Sequence, residues 1–561
     1  MIMLKRIKMK NKFSLLLLSL LIGPVLLAQK PLPSDTFRVV KEYKPTIEES
    51  DKISIEPEIN DSPQKLEQKL KYTFLRKQIP VSFQVEPISA AKIKGEPLVK
   101  LYNGYAKLGV GNALVPMGEI YYNNLRSKKF ALGTHVKYSR LKELNAIKGS
   151  DMSQFHAEVF GKRFWKTNTL SSALSFDMHN FNYYGYNQID EAYRLPETVA
   201  RTNSQQYNRF AANVGIQSTK KDSFNLRHAV NLKYNLLNTK YKTDEHHIVL
   251  SGNLSQFVNK ELYNLDVLWD YNDYKYASNN SIAAILPQIS TIGKNFRINA
   301  GLGVYMNAGN EATFHFYPLA EIKYNVIKDY LVPYAGIKGQ IRRNNFNTIS
   351  LENPFVADAI GIANTNEKIN AYGGFRGTLS KVTSFNLMAN YMSIENEYFY
   401  VKAYPGVSFL NDRFSLIYDN LDLLEFKGEL AYRSTKKIKL YLIGQYFDYS
   451  TEHEMKAWHR PDVKITTIGE YNLQEKLIAK LSLFYWGEQY AKTIEIEGTE
   501  SVEKAEKLKG IIDANLGFEY RYTKKLSAFI DFNNIGGIRY EKYQDYPTQG
   551  FNVFGGLTYS F

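Results

Sequence analysis

The sequence predicts an all-β chain: a transmembrane antiparallel up-and-down β-barrel of about 22 strands over residues 101–561, behind a Pro-rich N-terminal periplasmic extension. Three observations carry this prediction. Half-apolar alternating runs recur from residue 101 to the last residue, tight Lys-bearing turns punctuate them, and the N-terminus has the layout of an export signal.

Composition removes the competing classes. The 561 residues include no Cys, which excludes disulfide scaffolds, thiolate metal sites, Cys nucleophiles and the acylated Cys of a lipoprotein. Membrane attachment must then come from the fold itself. A hydrophobic fraction of 44% beside 23% charged residues leaves no room for many spanning helices, each of which needs about 20 nearly uncharged residues. The net charge of +15 is scattered along the chain rather than gathered on one face, so no nucleic-acid partner is expected.

Lys5, Arg6, Lys8, Lys10 and Lys12 form a basic region, Phe13 to Leu27 an apolar one, and Ala28 is a small residue suited to cleavage. Residues 1–28 therefore read as a secretory signal peptide. Residues 29–100 hold 8 of the 18 prolines and no glycine before Gly95. Proline at that density suppresses helix interiors and central strands, so this stretch reads as an extended periplasmic segment. Ser62 and Pro63 could open one short helix, with a strand through Tyr72, Phe74 and Val81 as the competing reading.

From residue 101 one unit repeats: an alternating run, a tight turn, another alternating run, a longer polar loop. The tight turns are Arg126–Lys129, Lys166–Thr169, Lys220–Ser223, Asn259–Glu261, Gly293–Asn295, Ile327–Asp329, Ser380–Thr383, Ser434–Lys437, Gln474–Lys476 and Thr523–Lys525, and every one carries Lys. They fall roughly 34–54 residues apart, room for two strands and one loop. Ten turns separate eleven hairpins. Side chains alternate across a strand, so each run has an apolar and a polar face. Phe296, Ile298, Ala300, Leu302 and Val304 oppose Arg297, Asn299 and Tyr305; Leu232 and Tyr234 oppose Lys233, with Arg227 also on the polar side; Leu516, Phe518 and Tyr520 oppose Glu519 and Arg521. In a barrel the apolar face meets lipid, and Arg227, Lys233, Arg297, Tyr305, Glu519 and Arg521 face the lumen.

Export and the alternation of short with long connections favour this barrel over a soluble sandwich. Aromatic clusters at Phe181–Tyr184, Tyr271–Tyr276, Tyr446–Tyr449 and Phe484–Trp486 suit an interfacial girdle. With the Lys turns in the periplasm, where they hydrate the membrane boundary and pair with anionic headgroups, residues 141–152, 185–203, 345–369, 398–421, 491–508 and 535–549 lie outside the cell.

In the last strand Phe551, Val553, Leu557, Tyr559 and the terminal Phe561 share a face, with Phe554 and Gly555 as exceptions. This resembles the C-terminal signal by which the barrel-assembly machinery recognises bacterial outer-membrane proteins. With its Tyr- and Asn-rich strands and Lys turns, the barrel resembles Bacteroidota outer-membrane proteins grouped with TonB-dependent receptors. That family has 22 strands, and Asp35, Thr36, Phe37, Arg38 and Val39 resemble its TonB box, which binds its partner by adding a strand. The resemblance stops at the plug: 72 residues with one late glycine stand where the family carries a larger globular domain, and no plug motif is visible. A barrel this wide needs filling by inward loops, by the N-terminal segment, by bulky lumen side chains or by a partner.

Two other constellations hold residue types that can ligate metal. Asp244-Glu245-His246-His247 and the loop His453–His459 both read more simply as solvated loops, the second lacking zinc-protease spacing, so no metal ligand and no cofactor is assigned. The sequence contains no G-x-S-x-G elbow, phosphate loop or dinucleotide fingerprint, and no enzyme activity is expected. The expected function is passage or import of solute across the outer membrane, with TonB coupling as the resemblance implies. The alternative is a non-transporting barrel, the platform subunit of an envelope complex. The expected partners are outer-membrane lipid and lipopolysaccharide, the assembly machinery, and TonB or a periplasmic or lipoprotein partner at residues 29–100.

Overall fold

The computed structural model describes residues 101–125, 127–142, 149–185, 203–219, 226–309, 311–327, 330–403, 411–434, 437–497 and 500–561. The signal peptide, the Pro-rich segment and Asp35–Val39 lie outside them.

Alternating apolar runs become strands because each can pair its backbone sideways while showing one apolar face. In order these are β1 Gly104–Gly111, β2 Leu114–Asn123, β3 Phe130–Leu141, β4 Met152–Phe164, β5 Asn168–Asn182, β6 Ser204–Ser218, β7 Leu226–Thr239, β8 Asp244–Val258, β9 Glu261–Tyr274, β10 Asn280–Ile292, β11 Phe296–Ala308, β12 Ala312–Tyr324 and β13 Val332–Arg342. After helix α1 (Phe346–Glu352) come β14 Thr365–Ser380, β15 Thr383–Lys402, β16 Phe414–Ser434, β17 Ile438–Thr451, β18 Val463–Leu473, β19 Leu477–Trp486, β20 Gln489–Glu497, β21 Glu500–Leu508, β22 Ile511–Arg521, β23 Leu526–Asn533, β24 Glu541–Tyr543, β25 Tyr546–Pro547 and β26 Asn552–Ser560.

Twenty-two of these form one antiparallel sheet in chain order, and β26 pairs with β1 to close it. Closure leaves no sheet edge. The β20–β21 and β24–β25 hairpins stand apart, in loops. The closing seam depends on glycine: a Cβ at Gly109 would lie 2.3 Å from the Phe554 ring, and one at Gly556 would lie 2.0 Å from the Leu108 carbonyl oxygen. Phe554, out of step with the apolar face of β26, points inward and packs with Met117 and Phe529.

The outer surface carries the apolar residues. Leu108, Val136, Leu174, Leu232, Leu302, Phe316 and Leu387 are exposed, Phe316 at 65%. A continuous apolar exterior around a closed sheet is stable in lipid, not in water.

Among the described residues, the turns carrying Lys128, Lys166, Lys260, Lys294, Lys381, Lys476 and Lys524 fall at one end of the barrel, together with Gly104 and Phe561, and the strands flanking the other three Lys turns end there too. The opposite end carries the other eleven connections. The segment 452–462 is among them, absent from the expected outer intervals, while the described residues of the expected interval 398–421 are mostly strand. β15 and β16, at 20 and 21 residues, run well past the roughly 9–11 residues that cross a bilayer.

Candidate functional site: the inward cap and the lumen wall

The connection from β13 to β14, residues 343–364, folds into the barrel. Its sequence explains the local turn of helix: Asn345 caps it, its Oδ1 accepting from Thr348 N at 2.8 Å, while Thr348 Oγ1 accepts from Asn345 N. Glu245, at the start of β8, supplies the remaining acceptors, taking the amides of Phe346 and Asn347 at 2.7 Å each. Phe346 and Ile349, one helical turn apart, are fully buried. Pro354 follows the helix and forbids its continuation.

Beyond the helix the chain continues through turns and bends, and tyrosines of the wall and loops hold carbonyls of both the helix and this stretch. Tyr207 donates to Pro354 O at 2.9 Å, Tyr183 to Val356 O at 3.2 Å, Tyr400 to Ile349 O at 3.2 Å and Tyr543 to Glu352 O at 2.8 Å. Tyr274 donates to Asp358 O. The buried Asp358 carboxylate accepts from Gln205, Thr239 and Thr243. Val356 forms a parallel bridge with Phe414, and Phe355 stacks on Tyr546 with centroids 3.6 Å apart. The resulting apolar core joins β5–β9, β15–β16 and the loop between β23 and β26. Those three arcs are spaced by about a third of the closed sheet, so the segment that touches all of them crosses the lumen.

Arg460 fastens the cap to the β15 side through Glu352, within a network of wall ion pairs. Arg460 donates to Glu352 and to Glu397 at 3.3 Å each, and Arg342 reaches Glu367 and Glu397. Burial alone would raise the Glu352 carboxyl; Arg460, with hydrogen bonds from Tyr398 and Tyr400, outweighs it and holds the group below the usual carboxylate range. His459 is buried beside this clasp, one ring nitrogen on Tyr400 O at 3.0 Å and the other accepting from Gln544 N at 3.3 Å. Burial, with Lys402 and Arg460 nearby, pulls its pKa down to about 4, and the ring is neutral at ordinary pH.

The wall carries the polar face. Arg297 donates to Asn299, which donates to Glu321; Arg521 pairs with Glu519 at 3.2 Å. Tyr305 packs edge-on against Tyr317, with Ile282 and Ile341 around it. Arg227 and Lys233 lie on the same face of β7 as Asn231 and Asn235, opposite the exposed Val230 and Leu232, and are themselves exposed. Phe551, Leu557, Tyr559 and Phe561 are exposed on the outer face, with Val553 half-buried between them.

Three readings change. Phe181, Tyr183, Tyr184 and Tyr274 are buried and pack on the cap instead of forming a girdle, while Tyr276, Tyr446 and Tyr485 are exposed. Interval 345–369 folds inward rather than outward. The two His-bearing constellations disperse: Glu245 caps α1, His247 bonds Asp270, His246 bonds Tyr234, and His453 bonds Asp419 far from the buried His459.

A capped, closed barrel of 22 antiparallel strands defines the class: this is the fold of outer-membrane barrel receptors. No family model and no curated protein matches the sequence. Solved structures do match in fold. The FrpB iron transporter of Neisseria meningitidis aligns with a TM-score of 0.63 at 10% identity over 83% of this chain and 82% of that one. The ferric enterobactin receptor of Pseudomonas aeruginosa, in complex with enterobactin, gives 0.62 at 11% identity over 83% and 82%. The siderophore receptor PirA of Acinetobacter baumannii gives 0.61 at 10% identity over 83% and 81%.

Proposed function

We propose that this protein resides in the outer membrane and imports solute through its lumen, with residues 343–364 as a displaceable gate at the outward end. The observation that carries this reading is the construction of the cap. It crosses a wide barrel yet is held mostly by side chains: tyrosine hydroxyls on its carbonyls, the Glu245 carboxylate on its helix, and contacts to Arg460, Arg209 and Asp270, with one short backbone bridge to Phe414 outside the barrel sheet. Such a segment can leave without breaking the sheet. The fold-level likeness to structures named as iron transporters and siderophore receptors supports import, and supports a binding role over an enzymatic one.

TonB coupling through Asp35–Val39 remains part of the proposal. Phe37→Pro or Val39→Pro removes a ladder amide and should abolish energised uptake while sparing barrel assembly. Gating is tested by replacing residues 345–362 with a short Gly-Ser linker and measuring sugar-driven swelling of liposomes. The linker variant should swell rapidly and the parent slowly; equal rates would remove the cap from the pathway.

A further inference from the structure

We propose that His135, His156 and Glu158 form a binding site for a divalent metal ion of the zinc class on the lumen wall. Each of the three brings one ligand atom within 4.8 Å of the others, the one such grouping of His and carboxylate side chains found among the described residues. They come from two adjacent strands: His135 on β3 faces Glu158 on β4 directly in register, with His156 two residues before it. Residues at these positions share one face, and the alternate positions Val136 and Val159 are exposed on the apolar exterior, so the cluster points into the lumen.

A second feature is independent of the three ligands. Each imidazole has one nitrogen taken by a carboxylate from a different strand: His135 Nε2 meets Glu119 Oε1 at 3.0 Å, and His156 Nδ1 meets Asp177 Oδ1 at 2.7 Å. A carboxylate on one ring nitrogen fixes the tautomer that presents the other nitrogen's lone pair, which is the usual support of a metal-bound histidine. Tyr121 further fixes the His135 ring, stacking on it at 3.8 Å with 7° between planes and donating to Glu119 at 3.0 Å. The nitrogens not taken by carboxylates are His135 Nδ1 and His156 Nε2.

The chemistry selects the ion. Two imidazoles and one carboxylate, leaving a position for water, suit zinc and its neighbours; calcium and magnesium require oxygen ligands throughout. Lys107 offsets Glu119 and Lys137 adds a positive charge near His156, so attraction for a bare hard cation is reduced and imidazole ligation decides affinity. Tetrahedral ligand atoms sit about 3.3 Å apart around zinc, so the half-buried Glu158 and His156 close by at most about 1.5 Å.

The test is equilibrium dialysis of the untagged full-length barrel in detergent against Zn2+, with Co2+ as a spectroscopic probe. One ion per chain is expected, with the visible band of tetrahedral Co2+. His135→Ala, His156→Ala and Glu158→Gln should each abolish it. Glu119→Gln and Asp177→Asn should weaken it by about 10–100-fold, and His228→Ala, on the outer face, should leave it unchanged. Heat-modifiable mobility reports folding of each variant. Absence of binding to the folded parent, or undiminished binding by a folded His135→Ala/His156→Ala double variant, would overturn the site. The measurement is an equilibrium and does not depend on the transport reading.

Discussion

Replacing Tyr183, Tyr207 and Tyr400 together by Phe removes three hydroxyls from the cap and keeps every ring. Each donates to a cap carbonyl at 2.9–3.2 Å in a buried setting. A neutral hydrogen bond is worth about 1 kcal/mol net, and a buried carbonyl left without its donor costs about 1–3 kcal/mol. Three such losses amount to about 3–9 kcal/mol between closed and displaced cap. Tyr183 and Tyr207 are neighbours and will couple, so the lower figure is the safer one. At about 1.4 kcal/mol per decade, even that figure raises the displaced population by about 100-fold. Planar-bilayer recordings of the purified barrel would register this as frequent openings where the parent shows rare ones. Far-UV dichroism and heat-modifiability should be unchanged, because none of the three hydroxyls belongs to the sheet ladder. An open probability within twofold of the parent, in a protein that folds normally, would show that the cap is not held by these bonds.

Other consequences follow from the same structure. Glu245→Gln should weaken closure by about 1–2 kcal/mol, seen as more openings, because the charge-assisted bonds to the Phe346 and Asn347 amides become neutral ones. Acid should loosen the packing around His459 in the 452–462 loop: its pKa is about 4 when buried and returns toward 6.5 in water, so a proton favours states in which the ring is exposed. Burial of the ring is fully favoured above pH 6.5 and loses about 3 kcal/mol as pH falls to 4, with no further loss below; His459→Gln should flatten the pH dependence of thermal stability in that window. Gly109→Leu should reduce the yield of heat-modifiable barrel, since its Cβ collides with Phe554 at the closing seam. In this Cys-free chain, Ala505→Cys at the loop end should react with an impermeant thiol reagent on intact cells and Lys294→Cys at the turn end should not; the reverse would invert the orientation.

The barrel was legible because its two signals are local. Alternation marks each strand, and Lys128, Lys166, Lys260, Lys294, Lys381, Lys476 and Lys524 mark turns that all lie at one end. The cap was not, since its contacts join residues far apart in the chain: Glu245 with Phe346, Tyr183 with Val356, Tyr543 with Glu352. Its helix is one short Asn-, Ser- and Thr-rich segment that reads as a polar loop. One signal was nevertheless available. Phe181 and Tyr183 are in step with Asp177 and His179, not with the outward Leu174 and Phe176, and Tyr274 is in step with Asp270. Parity placed these aromatics inside the barrel; aromatic composition alone suggested a girdle. The His135 cluster lay beyond the reach of spacing because β-register, not sequence proximity, brings its residues together.

A reversible lock tests the gate most directly. Val356 and Phe414 are bridge partners, a geometry within reach of a disulfide, and the chain contains no other Cys. In Val356→Cys/Phe414→Cys barrels the oxidised form should hold the cap closed and pass no solute in liposome swelling or uptake assays, and reductant should restore passage. Equal passage by the oxidised and reduced forms would contradict the account, because solute would then cross with the cap fixed in place.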